Sequence, residues 1–177
     1  LWYEFHGTQE GVAEQARQMQ AIASEHGGRD FAWSTKPEER SKLWQARHDA
    51  YFACLALRPG SRMIATDVCV PISRLTECIV ATQADIAQAS MPIPLFGHVG
   101  DGNFHLMILV MPDSDADIEE AWVLNTRLVR RALAMGGTCT GEHGIGLGKR
   151  EFLVEEFGAA VDVMRQLKAT LDPRNLM

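Results

Sequence analysis

Apolar residues recur at helical spacing along much of this chain, and shorter apolar stretches between the helical segments follow strand-like patterns. Residues 1–6 and 31–34 predict two short strands. The segment between them predicts a helix that ends near His26 and Gly27. Its apolar positions fall on one face of that helix: Val12, Ala16, Met19 and Ala23.

A second helix is predicted to begin at Pro37, because proline is favoured in a first turn, and to end before Pro59. Its apolar stripe is Leu43, Ala46, Ala50, Cys54 and Leu57. Arg47 falls on or beside this stripe and has no acid three or four residues away. Two interpretations stay open: a carboxylate from elsewhere or from a substrate pairs with Arg47, or its stem packs on the apolar rim while its charge reaches water.

The middle of the chain predicts strands over residues 62–70, 92–99 and 103–111, with a helix after Pro71. The next helix begins in the acidic segment 113–120 and ends in a basic one, as the helix dipole favours. Two more apolar helical stretches close the chain. This order predicts an α+β fold, ferredoxin-like, in which helices pack on one face of a mainly antiparallel sheet.

Asp101 and Gly102 form the dipeptide typical of a two-residue hairpin turn. With that turn, His98 faces His105 across the ribbon, with their Cβ atoms roughly 4.5–5.5 Å apart. Two imidazoles this close can bind one divalent ion, and Glu142 can supply a third ligand while leaving positions open.

His143 directly follows Glu142, and neighbours in an extended segment point to opposite sides. If Glu142 faces the ion, His143 is free to act as a base. Asn103 and Asp101 are assigned first to turn geometry and only second to support of the ligands. The alternative for the whole cluster is that the histidines are structural or surface residues and the glycines only form tight turns.

Composition narrows the function classes. The chain has 177 residues, of which 46% are hydrophobic and 23% charged, which is ordinary for one globular domain with room for a small appendage. A net charge of −6 argues against nucleic acid as a partner. The sequence shows no apolar run of membrane-spanning length and no signal peptide. The four cysteines, at positions 54, 69, 78 and 139, have no metal-site spacing and are expected as reduced thiols.

Several catalytic signatures are missing. The glycine-rich segment 136–149 lacks the Lys-Ser/Thr pair of a P-loop, so nucleotide binding by this chain alone is not expected. A GxSxG motif is absent too, and no cysteine stands in an evident Cys/His pair. Nucleophilic catalysis therefore has little support.

The segments GHVGDGNFH, GEHGIGLGKR and LDPRNLM, in this order, resemble the C-terminal domain of FAD-linked oxidases of the vanillyl-alcohol oxidase superfamily. The upstream segments LWQARHDAYFACLALRPG and ATDVCVPISRL are similar to the D-lactate dehydrogenase (cytochrome) branch. Glycolate oxidase and D-2-hydroxyglutarate dehydrogenase are related enzymes. The resemblance covers nearly the whole chain.

This resemblance implies that residues 1–177 form the substrate-side cap of the enzyme, while FAD is held mainly by an N-terminal domain outside this chain. It implies that His98, His105 and Glu142 bind a divalent metal, with zinc expected and manganese or iron as alternatives. His143 matches the catalytic histidine, and Arg47 matches the arginine that binds the substrate carboxylate.

Two departures concern specificity. The hydroxyglutarate enzyme has asparagine where this chain has Met107 and lysine where it has Ala65. Losing both polar groups favours a monocarboxylate such as lactate among small 2-hydroxy acids.

The resemblance also implies an electron acceptor such as a cytochrome, a quinone or an electron-transfer flavoprotein, and a chain that is either monomeric or a homodimer. The expected location is the cytoplasm or the inner-membrane surface in a bacterium, and the mitochondrion in a eukaryote. Two other classes stay open from the residues: a metal-dependent hydrolase that uses the same ligands, and a non-catalytic α+β ligand-sensing or dimerisation domain.

Overall fold

The computed structural model describes residues 1–177, which form two compact units, Leu1–Ala50 and Tyr51–Met177. The first unit contains helix α1 (Gln9–Glu25) and helix α2 (Pro37–His48). The Thr8 hydroxyl caps α1 by accepting the Gly11 N–H, and the predicted helix is confirmed. Both helices predicted from the apolar spacing therefore begin close to where the sequence places them.

The strands predicted over residues 1–6 and 31–34 are wrong, since neither segment forms a strand. Residues 1–6 instead interact through side chains: the Trp2 indole N–H donates to the Leu43 carbonyl at 3.1 Å, and Glu4 pairs with Arg40. A strand needs a neighbouring strand for its backbone groups, and this unit contains none.

The long helix predicted from Pro37 is interrupted at Asp49 and resumes as helix α3 (Ala50–Ala56). Helix α2 has no buried residue, so the prediction that Arg47 lies on or beside a buried face is wrong. The Arg47 side chain is exposed, and its guanidinium lies 5.6 Å from the centre of the Trp44 ring. Its charge can therefore remain hydrated without a buried partner.

The second unit is built around one antiparallel sheet whose central strand is β4. Its strands are β1 (Arg62–Ala65), β2 (Val68–Cys69), β3 (Leu95–His98) and β4 (Asn103–Val110). Strands β1 and β2 pair with β4 in one continuous register, and β3 also pairs with β4. The single strand predicted over residues 62–70 is thus interrupted only at Thr66 and Asp67.

The hairpin register differs from the predicted one by two residues. His98 pairs with Asn103, and His105 pairs with Phe96, so His98 and His105 are not directly opposed. The cause is the turn, which contains a 3-10 segment (Val99–Asp101) followed by Gly102 at φ +77°. A two-residue shift keeps both histidines on the same face of the ribbon, whereas a one-residue shift would separate them.

Gly102 is required at this turn for two reasons. Its φ lies in the left-handed region that side chains rarely adopt. A Cβ at this position would also lie only 2.0 Å from the Val70 carbonyl oxygen. The turn that ends β3 is therefore held close to the end of β2.

Alternate residues of β4 separate the core from the site. Phe104, Leu106, Ile108 and Val110 belong to the buried apolar cluster. The residues between them point to the other face, and they include Asn103, His105 and Met107. The core contains residues of two helices, α4 (Ile72–Ile86) and α5 (Asp115–Ala134).

Helix α5 begins and ends as its charges predict, with the Ser114 hydroxyl accepting the Asp117 N–H at its start. Two shorter helices follow, α6 (Arg150–Phe157) and α7 (Ala160–Leu171). The predicted α+β class, with a small antiparallel sheet and helices, is confirmed. All four cysteines are free thiols, as expected. No helix combines the length and the apolar composition needed to cross a bilayer.

Candidate functional site

Four of the predicted site residues meet on the polar face of the sheet in the second unit. His105 lies on β4, His98 ends β3, and Glu142 and His143 lie in the loop before α6. The His105 side chain is 7% exposed, whereas those of Glu142 and His143 are 46% and 62% exposed. The site is therefore anchored at one buried imidazole and open on its other side.

The orientation of the His105 ring is set by the strand next to it. Its Nδ1 lies 3.0 Å from the Thr66 carbonyl oxygen, which can only accept a hydrogen bond. In the neutral ring, Nδ1 therefore carries the proton and Nε2 keeps a free lone pair. This tautomer presents Nε2 as a metal ligand, with the other nitrogen held by a carbonyl as is usual for such histidines.

Glu142 places one carboxylate oxygen among three imidazoles. Its Oε1 lies 3.0 Å from Nε2 of His105, 3.7 Å from Nε2 of His98 and 3.6 Å from Nε2 of His143. The rings of His98 and His105 are nearly perpendicular, with centres 6.4 Å apart. All three histidines thus direct the same nitrogen toward one oxygen.

This donor set fits a divalent ion. A tetrahedral ion with ligand bonds of about 2.0–2.1 Å holds its donor atoms roughly 3.3 Å apart. The separations from Glu142 Oε1 to the nitrogens of His105 and His98, 3.0 and 3.7 Å, lie on either side of that spacing. Two imidazoles and a carboxylate leave at least one coordination position for water or substrate.

Glu142 and His143 do not point to opposite sides, so that part of the sequence argument is wrong. The Nε2 atom of His143 is as close to Glu142 Oε1 as that of His98, and ligand atoms of His105, Glu142 and His143 all lie within 4.8 Å of one another. The reason is that the segment is not extended, because its backbone turns around the side chain of Asp67.

Asp67 is a buried carboxylate behind the site, 2% exposed. Its Oδ2 accepts the backbone N–H groups of Gly141, Glu142 and His143 at 2.9, 3.0 and 2.9 Å, and the Thr140 hydroxyl at 2.8 Å. Burial alone would raise the pKa of Asp67, but these hydrogen bonds outweigh it and hold the pKa far below its usual range. Asp67 is therefore ionised under all ordinary conditions.

The chain matches one family of known proteins over its whole length. The family described as FAD linked oxidases, C-terminal domain, matches residues 1–177. The chain belongs to this family. The resemblance inferred from the sequence motifs is confirmed.

The relatives with curated descriptions point to one branch of the family. The chain is 54% identical to a probable mitochondrial D-lactate dehydrogenase of Danio rerio, over 100% of this chain and 36% of that protein. It is 43% identical to the mitochondrial D-lactate dehydrogenase [cytochrome] of Arabidopsis thaliana, over 100% of this chain and 31% of the relative. A D-2-hydroxyglutarate dehydrogenase of Xanthomonas citri pv. viticola is more distant, with 31% identity over 96% of this chain and 38% of its own length. The chain spans about a third of the length of these relatives.

Asn103 and Asp101 take different roles in this member of the FAD-linked oxidase family. The Asn103 amide donates to Asp67 Oδ1 at 2.8 Å and to the Val68 carbonyl at 3.0 Å, so it contacts the carboxylate behind the site. Its own Oδ1 is buried without a partner. Asp101 belongs to the turn, where its carbonyl accepts the Cys69 thiol at 3.2 Å.

Sequence reasoning assigned no role to Asp67 or Lys149. The Lys149 ammonium donates to the Asp67 carbonyl at 2.7 Å and lies 3.7 Å from the Asp67 carboxylate. Burial lowers the pKa of Lys149, and the charge of Asp67 opposes that shift. An acid inside the apolar strand sequence of residues 62–70 was the available signal for a buried polar group.

Arg47 lies in the first compact unit, on α2, where its contact is the Trp44 ring. The two specificity positions lie in the second unit, where Ala65 of β1 pairs directly with Met107 of β4. Directly paired residues share a face of the sheet, and Met107 is two residues from His105 on β4. The departures noted in the sequence therefore occur side by side on the face that carries His105.

Proposed function

We propose that this chain is the substrate-side domain of a flavin-dependent D-2-hydroxy acid dehydrogenase that favours a monocarboxylate such as D-lactate. The observation that carries the proposal is the convergence of three histidine Nε2 atoms on Glu142 Oε1 at 3.0 to 3.7 Å. Membership of the FAD-linked oxidase family and relatives described as D-lactate dehydrogenases support the choice of reaction.

The residues divide into ligands and a base. His98, His105 and Glu142 would hold a divalent ion, with zinc preferred by the nitrogen-rich donor set and manganese or iron as alternatives. FAD would be held mainly by an N-terminal domain outside residues 1–177. When bound, FAD supplies the acceptor for the C2 hydride, and the ion supplies Lewis-acid activation of the 2-hydroxyl group.

His143 would take the hydroxyl proton at Nε2. Its side chain is 62% exposed and stands beside Glu142, so a substrate oxygen can approach it from the open side of the site. Histidine is the side chain that most often performs this transfer. Arg47 would bind the substrate carboxylate through its planar guanidinium, a proposal that rests on the sequence match and on its exposed side chain.

The Ala65 and Met107 pair would set the preference for a monocarboxylate. Neither side chain can donate a hydrogen bond, so a second carboxylate placed near them would lose its water without gaining a partner. A methyl-bearing substrate has no such cost. The same pair therefore favours lactate over hydroxyglutarate by leaving the longer acid unsatisfied.

The partners follow from the same reaction. The electron acceptor would be a cytochrome, as the description of the Arabidopsis thaliana relative indicates, with a quinone or an electron-transfer flavoprotein as alternatives. A mitochondrial location would apply if the source is a eukaryote, as in the two D-lactate dehydrogenase relatives. In a bacterium the protein would lie in the cytoplasm or at the inner membrane, alone or as a homodimer.

The decisive experiment is substrate-dependent bleaching of the flavin. Full-length protein should be yellow and should bleach anaerobically with D-lactate, more slowly with D-2-hydroxyglutarate and not with L-lactate. A chelator should suppress the reaction, and adding zinc or manganese should restore it. A colourless full-length protein, or one that no 2-hydroxy acid reduces, would rule the proposal out.

A further inference from the structure

The loop that carries Glu142 and His143 is bound to one buried oxygen atom. Oδ2 of Asp67 accepts three consecutive backbone N–H groups, those of Gly141, Glu142 and His143, at 2.9 to 3.0 Å, together with the Thr140 hydroxyl. We propose that Asp67 is a positioning residue, which holds the metal ligand Glu142 and the proton acceptor His143 against His105. The consequence for catalysis rests on the proposed function, whereas the hydrogen-bond geometry does not.

The loop has little else to define its shape. Residues 141–144 are exposed and belong to no helix or strand. In such a segment backbone N–H groups normally bond to water and exchange conformations freely. Directing three of them to one oxygen bends the backbone around that atom. This bend is what turns the neighbouring side chains of Glu142 and His143 to the same side, where an extended segment would separate them.

Gly141 allows the backbone to come this close. A Cβ at residue 141 would lie 1.9 Å from the Asn103 amide nitrogen and 2.9 Å from Asp67 Oδ1, which are distances that no side chain tolerates. The loop backbone is therefore in direct contact with the Asp67 and Asn103 side chains. A glycine in this position is required for contact with a partner rather than for an unusual φ angle.

The interruption between β1 and β2 supplies both halves of the arrangement. The Thr66 carbonyl fixes the ring of His105 at 3.0 Å, and the next residue, Asp67, fixes the loop. Oδ1 of Asp67 also lies 3.6 Å from His105 Nδ1 and accepts the Asn103 amide. Two adjacent residues thus place the ligand from the sheet and the ligand from the loop relative to each other.

Asp172 provides a matched control within the same chain. It is also buried, at 7% exposure, and it also accepts consecutive backbone N–H groups, those of Leu176 and Met177, at 2.9 and 3.0 Å. Those groups lie after α7, outside the loop of Glu142 and His143. Replacing Asp172 by asparagine therefore reproduces the loss of a buried carboxylate without touching that loop.

The first test measures amide hydrogen exchange in full-length protein. We expect the N–H groups of Gly141, Glu142 and His143 to be protected in the unmodified protein although their residues are exposed. In Asp67→Asn they should exchange about 10- to 100-fold faster, because a bond to a neutral amide replaces bonds to a charged group. Asp172→Asn should leave their exchange unchanged. Exchange at unstructured rates in the unmodified protein, or no acceleration in Asp67→Asn, overturns the proposal.

The second test uses Co²⁺ as a spectroscopic probe of the ligand geometry. Asp67→Asn should bind Co²⁺ about 10- to 100-fold more weakly and change its visible spectrum, as loss of groups that orient ligands does. Asp172→Asn should match the unmodified protein in both. A purely structural Asp67 would lower the stability of both variants without altering the spectrum, and that result contradicts the proposal.

Thr140→Val keeps the test usable if Asp67→Asn does not fold. It removes the hydroxyl donor and retains the carboxylate, so it should accelerate exchange at residues 141–143 less than Asp67→Asn would. No acceleration in Thr140→Val then counts against the proposal. Protected loop N–H groups in a protein that no hydroxy acid reduces would leave the positioning role standing while the proposed reaction fails.

Discussion

Glu142 and His143 are adjacent in the chain, yet the proposed reaction asks them to do different work. Glu142 Oε1 is 3.0 Å from the buried His105, whereas His143 is the most exposed of the three histidines, with 62% of its side chain accessible. A ligand benefits from a fixed partner, and a proton acceptor benefits from access to the substrate. These exposures support the proposed division of roles.

His143→Ala should therefore abolish catalysis without emptying the metal site. We expect anaerobic flavin bleaching by D-lactate to slow by about 100-fold or more, as for loss of a general base. Metal content, measured by elemental analysis, should stay the same because His98, His105 and Glu142 remain. His26→Ala, in an exposed histidine after α1, is the control. Unchanged bleaching in His143→Ala would remove this residue from the mechanism.

Ala65 and Met107 allow the specificity proposal to be tested at the same scale. The double variant Ala65→Lys, Met107→Asn places two hydrogen-bond donors on directly paired positions. We expect the kcat/KM ratio of D-2-hydroxyglutarate to D-lactate to rise by about 10-fold or more. The two single variants show whether the effects are additive. A ratio that does not move would show that the second carboxylate binds elsewhere.

At the scale of elements, the end of α7 depends on a single carboxylate. The Lys168 side chain and the N–H groups of Leu176 and Met177 lower the pKa of Asp172 from its ordinary 3.8 to about 2. A carboxylate whose pKa is depressed in the folded state stabilises the fold above its unfolded pKa. That contribution is lost as the pH falls from about 4 toward 2.

Asp172→Asn should remove this pH dependence. At pH 7 the variant should unfold at a lower urea concentration than the unmodified protein, and the gap between them should close between pH 4 and pH 2. Urea titrations at a series of pH values give the comparison. Asp162→Asn, an exposed acid in the same helix, is the control and should follow the unmodified protein. A gap that persists below pH 2 would show that Asp172 does not act through its charge.

At the scale of the whole molecule, the core and the site occupy opposite faces of β4. The buried cluster contains Phe104, Leu106, Ile108 and Val110, and none of the proposed metal ligands belongs to it. Removal of an ion from the other face should therefore leave the core packed. The chain also spans only about a third of its relatives, so the proposed flavin site would lie outside residues 1–177.

Two outcomes follow for the intact protein and for this chain alone. Chelation of full-length protein should abolish flavin bleaching while the far-ultraviolet circular dichroism spectrum stays the same. The 177-residue chain expressed alone should be colourless and should show no turnover, with or without added metal. Loss of helical signal on chelation would instead make the ion part of the fold. Turnover by the isolated chain would contradict the assignment of the flavin to another domain.

Much of this protein follows from local sequence. The five helices from α1 to α7 with clear amphipathic spacing or capping signals begin near their predicted positions, because caps, proline and charge act within one turn. The ligand candidates His98, His105, Glu142 and His143 were also recognisable from spacing and from the family motifs. Residue type and side-chain alternation are properties that a strand carries with it.

Other features depended on contacts between distant segments. The sequence could not predict that His98 pairs with Asn103, because the turn conformation depends on the approach of Gly102 to the Val70 carbonyl. It could not predict that Glu142 and His143 point to the same side, because that bend requires Asp67, some 75 residues earlier. Local sequence determined which residues are available for the chemistry. Tertiary structure decided which way they face, since long-range hydrogen bonds to a buried carboxylate override the local preference of the backbone.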